Sequence, residues 1–287
     1  MSEPEYSSQA SAPVTQTSLV GFVLLSHDRS YQLRRLVVRL RQSFGDPLIV
    51  CHHDFGRTPL DHSEWPFDAV RFVRPHIPTA WGDWSAVAAA VQAFRLFAES
   101  PQRPDWLVFL SGSDYPIKPS SVIANALRDG SYDAYVEAKL VDPDVSVEWR
   151  EEGLRRYYFR GTGEIDNHPF RDGMACYWGE FWLTVNRRGL DALLRVIDAR
   201  DDLRDWYRGC PNPEESYLVT ALCSAKELVL AAHHDRYIDW SANEPHPKIL
   251  TTRDLPELLS SPAHFARKFD ERVDSEVLDQ LDHIVGR

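Results

Sequence analysis

Cysteine is scarce in this 287-residue chain, and its four cysteines are spread far apart. They stand at Cys51, Cys176, Cys210 and Cys223, so no two of them form a C-x-x-C pair. Disulfide frameworks and cysteine-based zinc sites both need cysteines at closer, recurring spacings. We therefore expect reduced thiols in the core of a cytoplasmic protein.

Basic residues are also few relative to acidic residues. Lys plus Arg number 32 against 43 Asp plus Glu, which gives a formal net charge of −11 at pH 7. Nucleic-acid-binding proteins usually show the opposite bias, so we predict no nucleic-acid partner. Any anionic small ligand must instead meet a local group of basic side chains.

Long apolar segments are missing as well. The longest apolar run near the N-terminus is 19–25, far shorter than the roughly 20 residues that cross a bilayer. It is also short for the apolar core of a secretion signal. We predict no transmembrane anchor, which agrees with a cytoplasmic location.

The chain carries none of the motifs typical of phosphate loops, dinucleotide sites, hydrolase elbows or zincins. Asp142-Pro-Asp144 has the D-x-D form by which nucleotide-sugar enzymes hold a metal, but its proline favours a surface turn. Histidine pairs at His52-His53 and His233-His234 are interpreted as strand ends, because neighbouring residues of a strand face opposite ways.

What the chain does have is an alternation of apolar runs and helical spacings. Residues 1–17, rich in Ser, Gln, Glu and Pro, predict a disordered tail, and 18–287 read as a single domain without linkers. The alternation predicts an α/β fold with a largely parallel sheet. Its predicted strands are 19–25, 47–51, 69–73, 106–110 and 227–232.

Ligands of parallel sheets bind outside the carboxyl ends of the strands. The loops to watch are therefore His27-Asp28, His53-Asp54 and Ser111–Pro116. Further along, Asn212 to Glu215 fits a helix start, with Asn as N-cap, Pro next and Glu three residues after the cap. Pro262 is predicted to open another helix.

Several segments occur together in a suggestive order. They are Trp81-Gly-Asp-Trp84-Ser85, Leu110-Ser-Gly-Ser-Asp114-Tyr-Pro116, Gly179-Glu-Phe-Trp182, Pro213-Glu-Glu215, Arg236-Tyr-Ile-Asp-Trp240, His246-Pro-Lys248 and Phe265-Ala-Arg-Lys268-Phe269-Asp270. This series resembles the core-2/I-branching β-1,6-N-acetylglucosaminyltransferase family, which includes the peptide O-xylosyltransferases. The resemblance implies a GT-A-like fold with a Rossmann-like sheet. It also implies inverting transfer of a sugar from a UDP donor, without a divalent metal or other cofactor.

The resemblance assigns the donor site to five residues. The lysine of the family's F-A-x-K-F-D motif corresponds to Lys268, and a family arginine upstream corresponds to Lys248. Both would neutralise the diphosphate of the donor. Asp54 and His27, at the ends of two strands, would lie beside the uridine. Asp114 is the single carboxylate of the loop in which metal-dependent relatives carry D-x-D.

The resemblance places the catalytic base on Glu215, with Glu214 as the next candidate. A carboxylate suits the task, because an inverting transfer needs a base to take the proton of the attacking hydroxyl. Glu215 also fits the capping-box position after Asn212, a purely structural role. One carboxylate cannot easily fill both roles.

Aromatic residues are candidates for the acceptor site, because their rings suit the apolar face of a pyranose. The candidates are Trp182, Trp240 and Tyr177, and core packing is the alternative for each. Animal members of the family are membrane-anchored and disulfide-bonded, so this chain resembles a soluble bacterial member. We expect N-acetylglucosamine or xylose to be transferred to a glycan, a glycolipid or a glycosylated small molecule.

Two other functions are compatible with parts of the sequence. A non-catalytic glycan-binding protein would keep the aromatic platforms but lose the base and the cations, whereas Glu215, Lys248 and Lys268 are all present. A glycoside hydrolase would need a pair of carboxylates with opposed roles. Glu214 and Glu215 are adjacent, so on a helix they would point about 100° apart.

Overall fold

The computed structural model describes residues 18–60, 65, 67–141, 148–159, 168–171, 173–242 and 244–286, with backbone alone for 148–150. The predicted tail at 1–17 and the Asp142–Asp144 pair lie outside these residues. Within the described ranges no helix is long and apolar enough to cross a membrane.

The described chain alternates strands and helices in its first half and is more irregular in its second half. The strands are β1 Val20–Ser26, β2 Ile49–His53, β3 Arg71–Phe72, β4 Trp106–Ser111, β5 Tyr115–Pro116, β6 Ala134–Tyr135, β7 Lys139–Val141, β8 Cys176–Trp178, β9 Thr184–Asn186, β10 Leu230–Ala231, β11 Arg236–Ile238 and β12 Phe265–Arg267. The α-helices are α1 Ser30–Phe44, α2 Trp84–Ala98, α3 Ser120–Asp129, α4 Glu148–Gly153, α5 Arg187–Ala199, α6 Asp201–Tyr207, α7 Tyr217–Ser224, α8 Leu255–Ser260 and α9 Glu276–Val285. Short 3-10 turns lie at Phe67–Ala69, Pro213–Glu215 and Thr252–Asp254, and a π-helical turn at Leu154–Tyr158 follows α4.

The main sheet has the strand order β10-β6-β9-β4-β1-β2-β3. Strand β1 pairs in parallel with β2 and β4, and β2 pairs in parallel with β3. Strand β9 runs antiparallel between β4 and β6. The predicted α/β fold with a mostly parallel sheet is therefore confirmed, with one antiparallel strand inserted.

Apolar side chains bury both faces of this sheet. Phe22 and Leu24 of β1 face one core cluster with the apolar stripe of α1, whereas Val23 faces the other with Phe97 of α2. A strand covered on both sides reads as a continuous apolar run, which is why β1 could be predicted. Gly21 fits a close approach, since a Cβ there would lie 2.7 Å from the ring of Phe97.

A second, three-stranded sheet brings the C-terminal part of the chain to the end of β4. Strand β12 pairs in parallel with β11 and antiparallel with β5, which directly follows the Ser111–Asp114 loop. The amide of Phe269 donates to the carbonyl of Ser113 over 2.9 Å. The residues that follow β12 are thus fixed against the loop that follows β4.

Four local predictions differ from the structure. The predicted strand 227–232 is reduced to β10, because a turn takes up 226–227. The predicted strand 69–73 is reduced to β3, because a 3-10 turn takes up Phe67–Ala69. Pro262 opens no helix; it lies exposed between α8 and β12, and the helix with proline in its first turn is α8. Asn212 adopts a left-handed conformation with φ of 48° and makes no side-chain cap. The capping box predicted for Asn212 and Glu215 is therefore wrong.

Candidate functional site

A cavity of about 760 Å³ opens at the carboxyl ends of β1 and β4. Its walls come from the segments after these strands, from the Thr79–Trp81 loop, from Trp178–Trp182, and from the segment after β12. Such a position is where α/β sheets bind ligands. Six of the residues predicted for the site line this cavity, namely His27, Lys268, Glu215, the alternative base Glu214, Trp182 and Trp240.

Lys268 follows β12 and is half-buried in the cavity wall. It forms no ion pair with any residue that the structure describes. Burial, together with the nearby charges of Arg267 and Arg29, lowers its pKa from the usual value for lysine. An ammonium group held beside two guanidinium groups without a carboxylate partner is suited to bind an anion.

Arg267 also lines the cavity, and sequence reasoning missed it. Its Nε lies 3.1 Å from Oδ1 of Asp114, and its guanidinium lies over the ring of Trp182 at 4.3 Å from the centroid. Both neighbours fix the orientation of a planar cation. The available signal was its place directly before Lys268 in the same motif.

Asp114 lies behind the cavity wall and does not line the cavity. It is almost fully buried, and its two oxygens accept hydrogen bonds from the amide and the hydroxyl of Ser111 at 2.9 and 2.8 Å. The same carboxylate supports Arg267. Its contacts hold the loop after β4 and one cation in place.

Asp54 lies behind the wall too, at the end of β2. Its carboxylate accepts hydrogen bonds from the amides of Thr79 and Gly56 at 2.8 and 3.1 Å. Although burial opposes ionisation, these bonds lower the pKa of Asp54. Asp54 thereby anchors the Thr79–Trp81 loop. His27, in contrast, is exposed in the cavity wall, and Arg57 also lines the cavity.

Lys248 does not line the cavity. Its Nζ lies 2.6 Å from Oδ1 of Asp254 and 3.5 Å from Oδ2 of Asp239. Two carboxylates therefore already neutralise this ammonium group. The structure does not bring Lys248 together with Lys268 at the cavity, and Arg267 takes the neighbouring position.

Glu215 ends the 3-10 turn Pro213–Glu215 and lines the cavity. Its Oε2 accepts hydrogen bonds from Nη1 of Arg156 at 2.8 Å and from the indole of Trp178 at 3.1 Å. Burial raises the pKa of Glu215 from its usual value, and the charge of Arg156 opposes the rise. Its Oε1 receives no hydrogen bond from the described residues, so one oxygen is held and the other is available.

Glu214 is more deeply buried, with 9% of its surface exposed. Its Oε1 accepts a hydrogen bond from the amide of Gly82 at 3.2 Å, and its Oε2 has no partner among the described residues. Burial, and then the charge of Glu215, raises the pKa of Glu214 to about 7. The carboxyl group of Glu214 therefore titrates near neutral pH.

The predicted aromatic residues have different surroundings. Trp240 is 46% exposed in the cavity wall, whereas Trp182 is almost buried against Phe109 and under Arg267. Tyr177 does not line the cavity. Its backbone amide and carbonyl form hydrogen bonds with one hydroxyl group of α7 and with the hydroxyl group of the residue just before α7. Trp81, which sequence reasoning did not assign to the site, lines the cavity and is 79% exposed.

Two kinds of feature are absent from the part of the chain that the structure describes. None of the four cysteines forms a disulfide bond. No three or more His, Cys, Asp or Glu side chains come together in a geometry that holds a metal ion.

Comparisons with known proteins give relatives over most of the chain. Xylosyltransferase 1 of Homo sapiens is 26% identical over 302 residues, which cover 92% of this chain and 30% of the relative. Xylosyltransferase 2 of Homo sapiens is 24% identical over 312 residues, which cover 97% and 35%. The chain thus spans about a third of the length of these curated relatives.

Two solved structures also match. The bifunctional glycosyltransferase WbbM covers 90% of this chain with a TM-score of 0.41 and 11% identity, and 47% of its own chain is covered. The galactosyltransferase LgtC, solved with donor and acceptor sugar analogues, covers 92% with a TM-score of 0.41 and 9% identity, and 96% of its own chain is covered.

The family model described as Core-2/I-Branching enzyme matches residues 20–260, well over half of the chain. The matched segment begins at β1 and ends at α8, so it takes in most of the cavity walls. With the mostly parallel sheet, this match confirms the GT-A-like α/β fold expected from the resemblance. The chain therefore belongs to the core-2/I-branching enzyme family.

Proposed function

We propose that this protein is an inverting glycosyltransferase that moves N-acetylglucosamine or xylose from a UDP-sugar to a hydroxyl group of a glycan or glycoside acceptor. One observation carries the proposal. A single cavity contains both Lys268, a cation without a carboxylate partner in the described chain, and Glu215, a carboxylate with one oxygen held and one available. These are the two groups that transfer from a nucleoside diphosphate requires.

In the proposed reaction, Oε1 of Glu215 takes the proton of the acceptor hydroxyl. The acceptor oxygen attacks the anomeric carbon from the face opposite the diphosphate, and the bond between that carbon and the phosphate oxygen breaks. UDP leaves with the bonding electrons. Lys268 and Arg267 stabilise the negative charge that develops on the diphosphate.

We propose that the donor is neutralised by these side chains without a divalent metal. The support lies in the loop after β4, whose single carboxylate, Asp114, is occupied by Ser111 and Arg267. The cationic side chains of Arg267 and Lys268, next to the same loop, are in a position to neutralise the diphosphate instead. The cytoplasmic location and the bacterial origin expected from the sequence stay predictions.

The first experiment is a calorimetric titration of UDP into the protein in excess EDTA. We expect binding by the wild type, a loss of at least about tenfold in Lys268→Ala, and little change in Lys248→Ala. Lys248 is the matched control, because its charge is already paired outside the cavity. Binding that requires added Mn²⁺ contradicts metal independence, and no binding under either condition contradicts the donor class.

The second experiment tests transfer itself, with UDP-N-acetylglucosamine and UDP-xylose as donors and release of UDP as the readout. Glu215→Gln keeps the shape of the side chain but removes the base, so we expect transfer to fall about 100-fold or more while UDP still binds. Near-normal transfer by this variant contradicts the assignment of the base. Binding of glycans without transfer by the wild type favours the non-catalytic alternative.

A further inference from the structure

Most charged side chains of the cavity wall have a partner of opposite sign, either in the wall or behind it. Glu137 binds Lys139 at 2.8 Å and His234 at 3.3 Å, and Glu215 binds Arg156. Arg267 binds Asp114. Among the described residues, only a few other charged side chains of the cavity wall lack a partner of opposite sign.

The charges without a described partner are of both signs. Lys268 and Arg57 line the cavity and have no ion pair with any described residue. Glu180 is the corresponding carboxylate, with no hydrogen bond or ion pair to the residues that the structure describes. An unpaired Lys268 is suited to bind an anion. In the same way, an unpaired Glu180 is suited to bind a cation.

Glu180 lines the same cavity as the candidate base, Glu215. Its charge raises the pKa of Glu215, so the two carboxylates are close enough to interact. A cation bound at Glu180 would therefore lie in the same cavity as the carboxylate of Glu215. The diphosphate cannot be the partner of Glu180, because both are negatively charged.

Space for such a group exists beside Glu180. A second cavity of about 640 Å³ shares Glu137, Lys139, Glu180 and Trp240 with the first, so Glu180 lies at their junction. Trp240 presents an exposed aromatic surface at the same junction. A carboxylate together with an aromatic ring is a combination that favours ammonium groups, through ion pairing and cation–π contact.

We infer that the acceptor carries a protonated amine, which Glu180 binds at the junction of the two cavities. The acceptor class is then an amino sugar or another amine-bearing glycoside or small molecule. This inference rests on the proposed transfer of a sugar from UDP, since it concerns the acceptor of that reaction.

The test compares 2-aminoethyl glycosides of the common hexoses with their N-acetylated forms, which keep the sugar and the linker but lose the charge. Affinity is measured calorimetrically for the protein saturated with UDP. We expect at least one amine to bind about tenfold more tightly than its N-acetylated form. Glu180→Gln should abolish the difference, and Glu244→Gln, a change at an exposed wall carboxylate beside His246, should preserve it.

Equal affinities, tighter binding of the N-acetylated forms, or no binding of either series overturn the inference. A preference for the amine that survives in Glu180→Gln overturns the role of Glu180. UDP titrations of Glu180→Gln show whether that variant is folded, because its donor side is unchanged. Failure of the wild type to bind UDP contradicts the proposed function itself, so the two failures are distinguishable.

Discussion

Nη1 of Arg156 donates a hydrogen bond to Oε2 of Glu215 at 2.8 Å, and the same guanidinium lies 5.3 Å from the ring of Trp178. Arg156 comes from the π-helical turn at 154–158, whereas Glu215 ends a 3-10 turn nearly sixty residues later. The contact orients the candidate base and favours its ionised form despite burial. Arg156 is thus a positioning residue in the proposed reaction.

Arg156→Met should lower the fraction of Glu215 that is ionised and able to act as a base. Without the guanidinium, burial raises the pKa of Glu215 further, so less of it is ionised at neutral pH. We expect kcat to fall about tenfold or more and the acid limb of the kcat profile to move to higher pH. Arg155→Met is the control, because Arg155 pairs with Glu152 and is exposed. An unmoved acid limb in Arg156→Met contradicts the role.

Glu214→Gln should change how stability depends on pH. In the folded protein the pKa of Glu214 is raised from 4.5 to about 7, so between these values the unfolded chain releases a proton that the folded chain retains. Stability falls with rising pH across this window, by up to about 3 kcal/mol.

The glutamine variant lacks this loss, so its stability relative to the wild type should grow between pH 5 and pH 8. Urea unfolding at both pH values measures the difference. Glu99→Gln, at an exposed position after α2, is the control and should follow the wild type. A Glu214→Gln profile parallel to that of the wild type rules out the raised pKa.

Gly82→Ala should impair activity beyond its effect on stability. Gly82 has φ of +68°, and a Cβ there would lie 3.0 Å from Nδ2 of Asn212, at the start of the turn that carries Glu214 and Glu215. Gly45 has nearly the same φ, +67°, but open space around its Cβ position.

Both alanine variants should lose about 1 kcal/mol of stability from the left-handed conformation. Only Gly82→Ala should also lower kcat/KM, by roughly tenfold, since only it displaces the turn of the candidate base. Thermal unfolding and transfer assays on the pair separate the two effects. Equal activity of both variants argues against a link between the Trp81 loop and the base.

The two predicted acceptor tryptophans should behave differently. Trp240→Ala removes an exposed ring, so we expect the acceptor KM to rise about five- to tenfold with little change in stability. Trp182→Ala opens a hole beside Phe109 and should cost about 3 kcal/mol of unfolding free energy. Acceptor titrations and urea unfolding check both. A large stability loss in Trp240→Ala contradicts its position in an open wall.

The sequence predicted features that local pattern controls. Strands β1, β2 and β4 are continuous apolar runs because both faces of the sheet are covered, and Lys268 was found through its motif. The capping box failed because Asn212 turns into the left-handed region, and its amide donates to Gly82. That contact joins segments far apart in sequence.

The partners of the charged residues could not be predicted. Lys248 and Lys268 look alike in sequence, since each is a lysine beside apolar residues. Their difference depends on Asp239 and Asp254, which neutralise Lys248 in the folded chain. The proposed roles of Arg156 and Glu180 likewise depend on neighbours that only the folded chain brings close to them. The sequence pattern does not indicate which charged residues pair in the folded chain.

The pairing of β12 with β5 means that the cation side of the cavity is built from two distant parts of the chain. A nascent chain can form β1, β2 and β4 long before Arg267 and Lys268 have been synthesised, so the wall proposed to bind the diphosphate is completed late. Binding of UDP would then stabilise the docked C-terminal segment along with the ligand pocket. Hydrogen exchange should show this as slower amide exchange around 265–269 in the presence of UDP.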